Sequence, residues 1–302
     1  MSYYLGIDGG GTNSRLMAVD QNDAILAETF GGSTNIASNS VEAAEANLRF
    51  LFDSFLNDHQ QTMDDCLALC IGSAGLDSDR SVHVMETIIQ QYGFSCPVSA
   101  VNDGLLALAA TTKAKEGIIV ISGTGSIVCG ISRGGEIVRC GGWGHLLDDV
   151  GSGYWIGKEA ITSALRAADG RGEKTILTDM IKQDLDLLHI SDCMDRVYHD
   201  LNKSDIAKYS VFVLNGARAG DVVCYTILEK AADDLFDMAD ALLKKIQDDS
   251  IDVVVSGGTL MKNEILYSLF VEKMQTHYPK IHVKKIHQKP VWGAIYLAKT
   301  LA

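Results

Sequence analysis

The sequence contains no C-x-x-C pair, and its seven cysteines are an odd number scattered mostly through apolar stretches. This pattern argues against a disulfide framework or a zinc site and favours buried, reduced thiols. No apolar run is long enough to span a bilayer and no basic-then-apolar segment opens the chain, so we expect a cytoplasmic protein without a membrane partner. A net charge of −13 also disfavours nucleic acid as a partner, whereas a nucleotide needs only a local site and a cation.

The composition is that of an ordinary globular protein, with 47% hydrophobic and 22% charged residues. A chain of 302 residues can form one large domain or two ordinary ones, each with its own core. Length alone does not distinguish one domain from two, but the order of the motifs along the chain does.

An apolar stretch from Tyr4 to Ile7 leads directly into Asp8, three glycines and Thr12. This order predicts a buried strand, a tight turn and a second strand at Leu16–Val19. Glycines let backbone N–H groups approach an anion, the Thr12 hydroxyl adds a donor, and Asp8 is placed to hold a hydrated metal ion. Read alone, the stretch fits a plain glycine-rich hairpin turn equally well.

The same pattern returns in the second half of the chain. The strand Ile118–Ile121 runs into the glycine turn Ser122–Ser126, and the strand Val253–Val255 ends in glycines as the strand Cys66–Ile71 does. These matches predict an internal duplication of a three-stranded meander followed by alternating helices and strands. The predicted fold is α/β, with two lobes facing one another across a cleft and a helix-rich insertion from about Tyr154 to Lys245 in the second lobe.

Four motifs in this order resemble the sugar kinase–actin–heat-shock ATPase superfamily: Ile7–Thr12, Asn102–Gly104, Ser122–Ser126 and Val255–Thr259. Four further stretches resemble the N-acetylglucosamine kinase branch of the BadF/BadG/BcrA/BcrD ATPase family: Gly32–Asn35, Gly141–His145, Gly151–Gly157 and Pro290–Ala294. The resemblance runs nearly end to end, and although each motif is weak singly, the set in register is strong. It implies two duplicated actin-like, or ribonuclease H-like, lobes around a central cleft.

The resemblance implies an N-terminal lobe at 1–112 with the first phosphate loop, the sugar loop and the catalytic base. It implies a C-terminal lobe at 113–302 with the second phosphate loop, the helical insertion and the adenosine site. The last helix, at about 291–302, is expected to pack back on the N-terminal lobe.

The implied activity is ATP-dependent phosphorylation of the 6-hydroxyl of N-acetylglucosamine, N-acetylmuramic acid or glucosamine. ATP would be bound by Gly9, Gly10, Gly11 and Thr12, by Gly123, Thr124, Gly125 and Ser126, and at the adenosine end by Gly257, Gly258 and Thr259. Asp8 would hold Mg²⁺ through water. The sugar would be bound by Ser33, Thr34, Asn35, Asn102, Gly123, Trp143 and Asp149.

Asp103 is the predicted general base, because it follows a strand and opens a helix at the cleft end of the sheet. Asn and Asp are also favoured helix caps, so Asn102 or Asp103 could serve in that role alone. With the flanking motifs we assign Asp103 as the base and Asn102 as the cap. Thr259 could likewise cap the helix that follows it, and this role is compatible with nucleotide binding.

One stretch departs from the family pattern. Where the family usually reads Leu-Gly-Asp-Glu, this chain has Leu147–Val150, with Asp148 in place of Gly and Val150 in place of Glu. The resemblance implies that this loop lies near the sugar, so the departure leaves the identity of the sugar open and the phosphate chemistry untouched.

Two other functions stay open at this point. A reductase-activating ATPase of the same family would carry a cluster-ligating Cys just before the second glycine turn, where this chain has Val120, Ile121 and Ser122. A sugar-sensing regulator without catalysis would not require the set of Asp8, Asp103 and two glycine turns. The helical insertion is a possible surface for a homodimer.

Overall fold

The structure is a computed structural model, and it describes residues 2–37, 39–73, 75–76, 78–247 and 250–302. The glycine turn predicted after Ile71 includes Ala74, which lies outside the described residues. The chain divides into two compact units: Met1–Gly117 with Ile286–Ala302, and Ile118–Lys285.

The first unit is built on a five-stranded sheet. Its strands are β1 Tyr3–Gly9, β2 Asn13–Val19, β3 Ile25–Gly32, β4 Cys66–Ser73 and β5 Val98–Asn102. They lie in the order β3-β2-β1-β4-β5, with β1 antiparallel to β2 and parallel to β4. Its helices are α1 Val41–Asp58, α2 Asp79–Tyr92, α3 Asp103–Thr112 and, at the end of the chain, α12 Val291–Lys299.

The core of this unit follows from the alternation of its strands. Apolar side chains of β1, β2 and β4 pack against the apolar faces of α1 and α2, with Phe52 and Phe55 among the largest fully buried side chains. On the other face, α12 packs against β1 and α3. Two glycines permit that close approach: a Cβ on Gly293 would lie 1.9 Å from the carbonyl oxygen of Leu106, and one on Gly6 would lie 2.9 Å from the amide nitrogen of Ile295.

The second unit repeats the sheet. Its strands are β6 Gly117–Ser122, β7 Ser126–Ile131, β8 Ile137–Cys140, β9 Asp252–Ser256 and β10 Val283–Lys285. Their order, β10-β9-β6-β7-β8, is that of the first sheet when each strand is matched by its place in the repeat. The predicted duplication is therefore confirmed.

The helices of the second unit surround a single large apolar core. They are α4 Gly153–Ala168, α5 Leu177–Asp184, α6 Cys193–Asp195, α7 Lys203–Lys208, α8 Ser210–Arg218, α9 Val222–Ile246, α10 Gly258–Lys262 and α11 Glu264–His277. The helix-rich insertion predicted from about Tyr154 to Lys245 is confirmed as the segment from α4 to α9. None of the helices among the described residues is long and apolar enough to cross a membrane.

One predicted helix is wrong in its extent. The apolar spacing favours a single helix over 260–274, but the structure has α10 and α11 separated at Asn263. The Asn263 side chain is 4% exposed and accepts a 3.0 Å hydrogen bond from the Leu266 N–H, which makes it the N-cap of α11. Asn competes with the helix backbone for hydrogen bonds, so it ends one helix and starts the next.

Candidate active site

The first glycine turn joins β1 to β2. The N–H of Gly10 donates to the carbonyl of Asn13 at 3.0 Å and closes the turn, while Gly11 and Thr12 are exposed. Gly9 is required by its surroundings, because a Cβ there would lie 2.1 Å from Oγ1 of Thr34. The turn is therefore fixed at its base and open to solvent at its tip, as a phosphate-binding turn must be.

Asp8 lies at the end of β1 in an acidic environment. Burial raises the pKa of its carboxyl group, the nearby Asp103 carboxylate raises it further, and Arg15 opposes both. Arg15 also forms an ion pair with Glu28, and its guanidinium lies over the ring of Phe30 at 5.4 Å, so its charge does not serve Asp8 alone. Like charges that disfavour ionisation are what a bound cation relieves.

Asn102 and Asp103 occupy the start of α3, where Asn102 is the N-cap and Asp103 is the first residue of the helix. The Oδ1 of Asn102 accepts a 2.8 Å hydrogen bond from the Gly104 N–H, so the prediction that Asn102 is the cap is confirmed. Asp103 is the first residue of the helix and is exposed. Its carboxylate is therefore not needed for capping, and the helix N-terminus favours a negative charge there.

The loop after β3 is held by its own polar groups. Ser33 Oγ donates to the carbonyl of Gly10 at 3.0 Å, which links this loop to the first glycine turn. Thr34 is fully buried, and its hydroxyl accepts a 3.1 Å hydrogen bond from Ser14 Oγ. Asn35 is half-buried, and its Oδ1 accepts from the Ala37 N–H at 2.8 Å.

The second glycine turn joins β6 to β7 and rests on the start of α4. The carbonyl of Gly123 accepts from the Gly153 N–H at 2.8 Å, and that of Thr124 accepts from the Tyr154 N–H at 3.2 Å. Ser126 Oγ donates to the carbonyl of Val150 at 2.7 Å. Backbone N–H groups at the start of α4 thus donate to the carbonyl groups of the turn. The side chain of Thr124, at the tip of the turn, is exposed.

Asp149 lies beneath this second turn. It is 4% exposed, has a φ of +54°, and its Oδ2 accepts a 2.7 Å hydrogen bond from Nζ of Lys203. A Cβ on Gly125 would lie 2.8 Å from the same oxygen. Sequence reasoning missed Lys203, because it lies 54 residues away in the helical insertion and no motif marks it.

Trp143 is 66% exposed on the loop after β8. The Arg139 guanidinium lies over its ring at 4.4 Å, and its backbone N–H donates to Oδ2 of Asp148 at 3.3 Å. Val150, where the family usually has Glu, is half-buried against the core of the unit. The two departures from the family pattern therefore differ in setting, since Asp148 contacts a polar loop and Val150 contacts apolar side chains.

The turn between β9 and α10 approaches the second glycine turn closely. Gly257 has a φ of +90°, and a Cβ on it would lie 2.3 Å from the carbonyl group of Ser122. The Thr259 hydroxyl donates to the carbonyl of Gly123 at 2.8 Å, and the N-cap of α10 is Gly257, so the expectation that Thr259 caps this helix is wrong. Only backbone without a side chain fits at Gly257.

A cavity of about 230 Å³ opens beside this turn. It is lined by residues of α8, α10 and the start of α11: Ser210, Val211, Leu214, Gly258, Thr259, Lys262 and Asn263. A Cβ on Gly258 would meet no atom within 4 Å, so this glycine leaves the cavity open. The α8 residues were also missed by sequence reasoning, because no motif marks them.

Two sheets of one strand order, each with a glycine turn after its first strand, define an actin-like fold. A crystal structure of a candidate N-acetylglucosamine kinase from Chromobacterium violaceum shares it, with a TM-score of 0.71 over 99% of each chain at 22% identity. The chain belongs to the BadF/BadG/BcrA/BcrD ATPase family, whose model matches residues 5–298. Membership of this family implies that the protein uses ATP.

Two curated relatives cover almost the whole chain. One is the N-acetylmuramic acid/N-acetylglucosamine kinase of Clostridium acetobutylicum, which is 35% identical over 99% of both chains. The other is the N-acetyl-D-glucosamine kinase of Dictyostelium discoideum, which is 31% identical over 98% of this chain and 97% of its own length.

Proposed function

We propose that this protein is an ATP-dependent kinase that phosphorylates the 6-hydroxyl of an amino sugar. N-acetylglucosamine, N-acetylmuramic acid and glucosamine are the candidate acceptors. One observation carries the proposal above all: the 35% identity to a kinase of N-acetylmuramic acid and N-acetylglucosamine extends over 99% of both chains.

Asp103 is the proposed general base. Its exposed position at the start of α3, with capping left to Asn102, supports a role for its carboxylate in accepting the proton of the sugar hydroxyl. If the transition state is loose, the hydroxyl loses its proton late, so a weakly basic carboxylate is sufficient.

The two glycine turns are the proposed phosphate loops. The residues Gly9–Thr12 and Gly123–Ser126 would donate backbone N–H groups to the phosphate oxygens of ATP, which neutralises charge in phosphoryl transfer. The adenosine end would lie at Gly257–Thr259 and the adjoining cavity. Val211 and Leu214 give that cavity apolar walls, which suit the face of a purine base.

Mg²⁺ fits the acidic character of the first unit. Among the described residues no group of three or more His, Cys, Asp or Glu side chains could hold a metal ion, so an all-protein cage is not available there. Mg²⁺ is usually held by one or two carboxylates, water and substrate phosphates, and it supplies charge neutralisation at the phosphoryl group. Asp8, whose pKa is raised by burial and by Asp103, is the carboxylate we assign to it through water.

The sugar would be bound by polar side chains and one exposed aromatic ring. Ser33, Asn35 and Asn102 are half-buried and can contribute hydroxyl or amide groups, while the buried Thr34 would act by holding the loop. Trp143 is exposed enough to stack on a sugar face. Gly123 and Asp149 complete the proposed set, and Asp149, which is buried like Thr34, would act by holding its neighbours in place.

The test is a phosphorylation assay with ATP and each of the three amino sugars, with the product identified by phosphorus NMR. We expect one or more sugar 6-phosphates and a loss of at least about 100-fold in kcat for Asp103→Asn. Asp79→Asn is the matched control, because Asp79 is also an exposed first residue of a helix whose cap, Ser78, precedes it. Inactivity on all three sugars would contradict the proposal, and an active Asp103→Asn variant would overturn the assignment of the base.

A further inference from the structure

Lys203 is the first residue of α7, and its backbone is held by the capping of this helix. The preceding residue, Asn202, accepts hydrogen bonds from the backbone N–H groups of Ser204 and Asp205 at 2.8 and 3.1 Å. The Asn202 N–H in turn donates to the Asp205 carboxylate at 3.1 Å. This reciprocal capping fixes the backbone from which the Lys203 side chain extends.

The ion pair between Lys203 and Asp149 is buried on one side only. The Asp149 side chain is 5% exposed, whereas the Lys203 side chain is 33% exposed. An ammonium group has three N–H donors, and within the part of the chain that the structure describes, Asp149 is its one hydrogen-bond partner. The lysine therefore neutralises a buried carboxylate and keeps donors for another acceptor.

This ammonium group lies against the second glycine turn. A Cβ on Gly125 would be 3.1 Å from Nζ of Lys203, which is closer than most Cβ atoms approach a neighbouring group. Because Gly125 has no side chain, the lysine ammonium has room beside the turn. The chain as a whole has a net charge of −13, so this ammonium group is a local positive charge on a protein that otherwise repels anions.

We propose that Lys203 is a nucleotide-binding residue, whose ammonium donates to a β- or γ-phosphate oxygen of the nucleotide at the Gly123–Ser126 turn. Asp149 holds the ammonium in place. The inference rests on the proposed kinase function, since it takes this turn to bind a nucleotide. An ammonium group carries a full positive charge, so its hydrogen bond to a phosphate oxygen adds a Coulombic attraction that a neutral backbone N–H does not provide.

A purely structural ion pair would behave differently. Buried ion pairs can often be replaced by apolar groups at no cost in stability, so stability alone does not reveal the role of Lys203. A lysine that touches the polyphosphate must instead affect ligands according to the number of their phosphates.

The experiment compares the binding of ATP, AMP and adenosine to the full chain by calorimetry, for the wild type, Lys203→Met and Lys208→Met. Lys208 is the matched control, because it lies on the same helix and pairs with Asp205 at the surface. We expect Lys203→Met to weaken ATP binding about tenfold or more while adenosine binding is unchanged. Unchanged ATP affinity, or an equal loss for ATP and adenosine, would overturn the proposal.

The single variant leaves a buried carboxylate unpaired and could unfold, so the double variant Lys203→Met/Asp149→Asn is measured as well. It removes both charges, and the same selective loss of ATP affinity is expected of it; equal losses for ATP and adenosine would count against a phosphate contact. Failure of the proposed function is distinguishable, because a wild type that binds ATP but phosphorylates no amino sugar contradicts the kinase function without changing this comparison.

Discussion

The hydroxyl of Thr259 donates a 2.8 Å hydrogen bond to the carbonyl of Gly123, between residues 136 positions apart in the sequence. The bond joins the turn after β9 to the glycine turn after β6. The same carbonyl accepts from the Gly153 N–H at 2.8 Å, so one oxygen links three segments of the second unit. In the proposed site, these are the segments that hold the two ends of the nucleotide.

Loss of this hydroxyl should weaken nucleotide binding. Thr259→Val keeps the shape of the side chain but removes a hydrogen bond worth about 1 kcal/mol, so we expect about a fivefold loss of ADP affinity in calorimetry. Thr259→Ser keeps the hydroxyl and should bind ADP nearly as the wild type does. Wild-type affinity in the valine variant would mean that the bond does not position the nucleotide turn.

Gly9→Ala should destabilise the first unit. The new methyl group would fall 2.1 Å from Oγ1 of Thr34 and 3.0 Å from Oγ of Ser73, and overpacking of this kind costs about 1–3 kcal/mol. Denaturant unfolding measures the loss. Gly134→Ala is the control, because its nearest neighbouring atom would be 3.8 Å away. If Thr34→Ala in the same chain does not reduce the cost of Gly9→Ala, the clash is not its source.

Removal of the α3 cap should affect stability and catalysis together. Asn102→Ala removes the hydrogen bond to Gly104, with an expected cost of about 1 kcal/mol in the free energy of unfolding. Without Asn102, the Asp103 carboxylate could cap the helix instead, and it would then be less available as the general base, so kcat should fall. Ser78→Ala removes the cap of α2 at a similar cost and should leave kcat unchanged. Equal kcat values in the two variants would show that Asn102 has no role beyond capping.

A pH-dependent prediction concerns Asp234 on α9. Burial and the neighbouring carboxylates of Asp237, Asp233, Asp148 and Glu159 raise the pKa of Asp234 to about 6. Because this folded-state pKa exceeds the unfolded value of about 3.9, the folded state holds the proton more tightly. The associated stability is complete below about pH 4 and is lost as the pH rises through about 6.

Asp234→Asn should therefore stabilise the protein at about pH 8 and have little effect at about pH 4. Since the group is only half-buried, solvent screening limits the gain to about 1 kcal/mol. Denaturant unfolding at both pH values measures it, with Asp237→Asn on the exposed side of the cluster for comparison. A gain at pH 8 that equals the gain at pH 4 would contradict the pKa shift.

Local patterns were enough to predict the repeated sheets. The alternation of apolar residues marks the strands, and glycines after β1, β6 and β9 mark turns, in which Gly9 and Gly257 have no room for a side chain. The cap at Asn102 was also predictable, because capping depends on residues two or three positions apart. The break at Asn263 was not, since an apolar helix face continues across it and only the buried side chain shows the interruption.

The surroundings of each proposed site residue could not be read from local spacing. The resemblance assigned Asp149 to the sugar side, and this stays a prediction, but only the folded chain pairs it with Lys203. Thr34 is a polar loop residue in the sequence and a buried hydroxyl in the structure. Val211 and Leu214 form a cavity wall only because α8 lies beside α10.

The sequence by itself determined the duplicated strand–turn–strand pattern, the helical insertion and the membership of the family, because periodicity and motif order are properties of neighbouring residues. The tertiary structure alone decided which groups meet at the Asp8–Thr12 and Ser122–Ser126 turns. Thr34 meets Gly9, and Lys203 and Thr259 meet the second turn, because chain folding brings together residues between 25 and 136 positions apart. No spacing along the chain encodes those contacts, since they depend on the packing of whole elements.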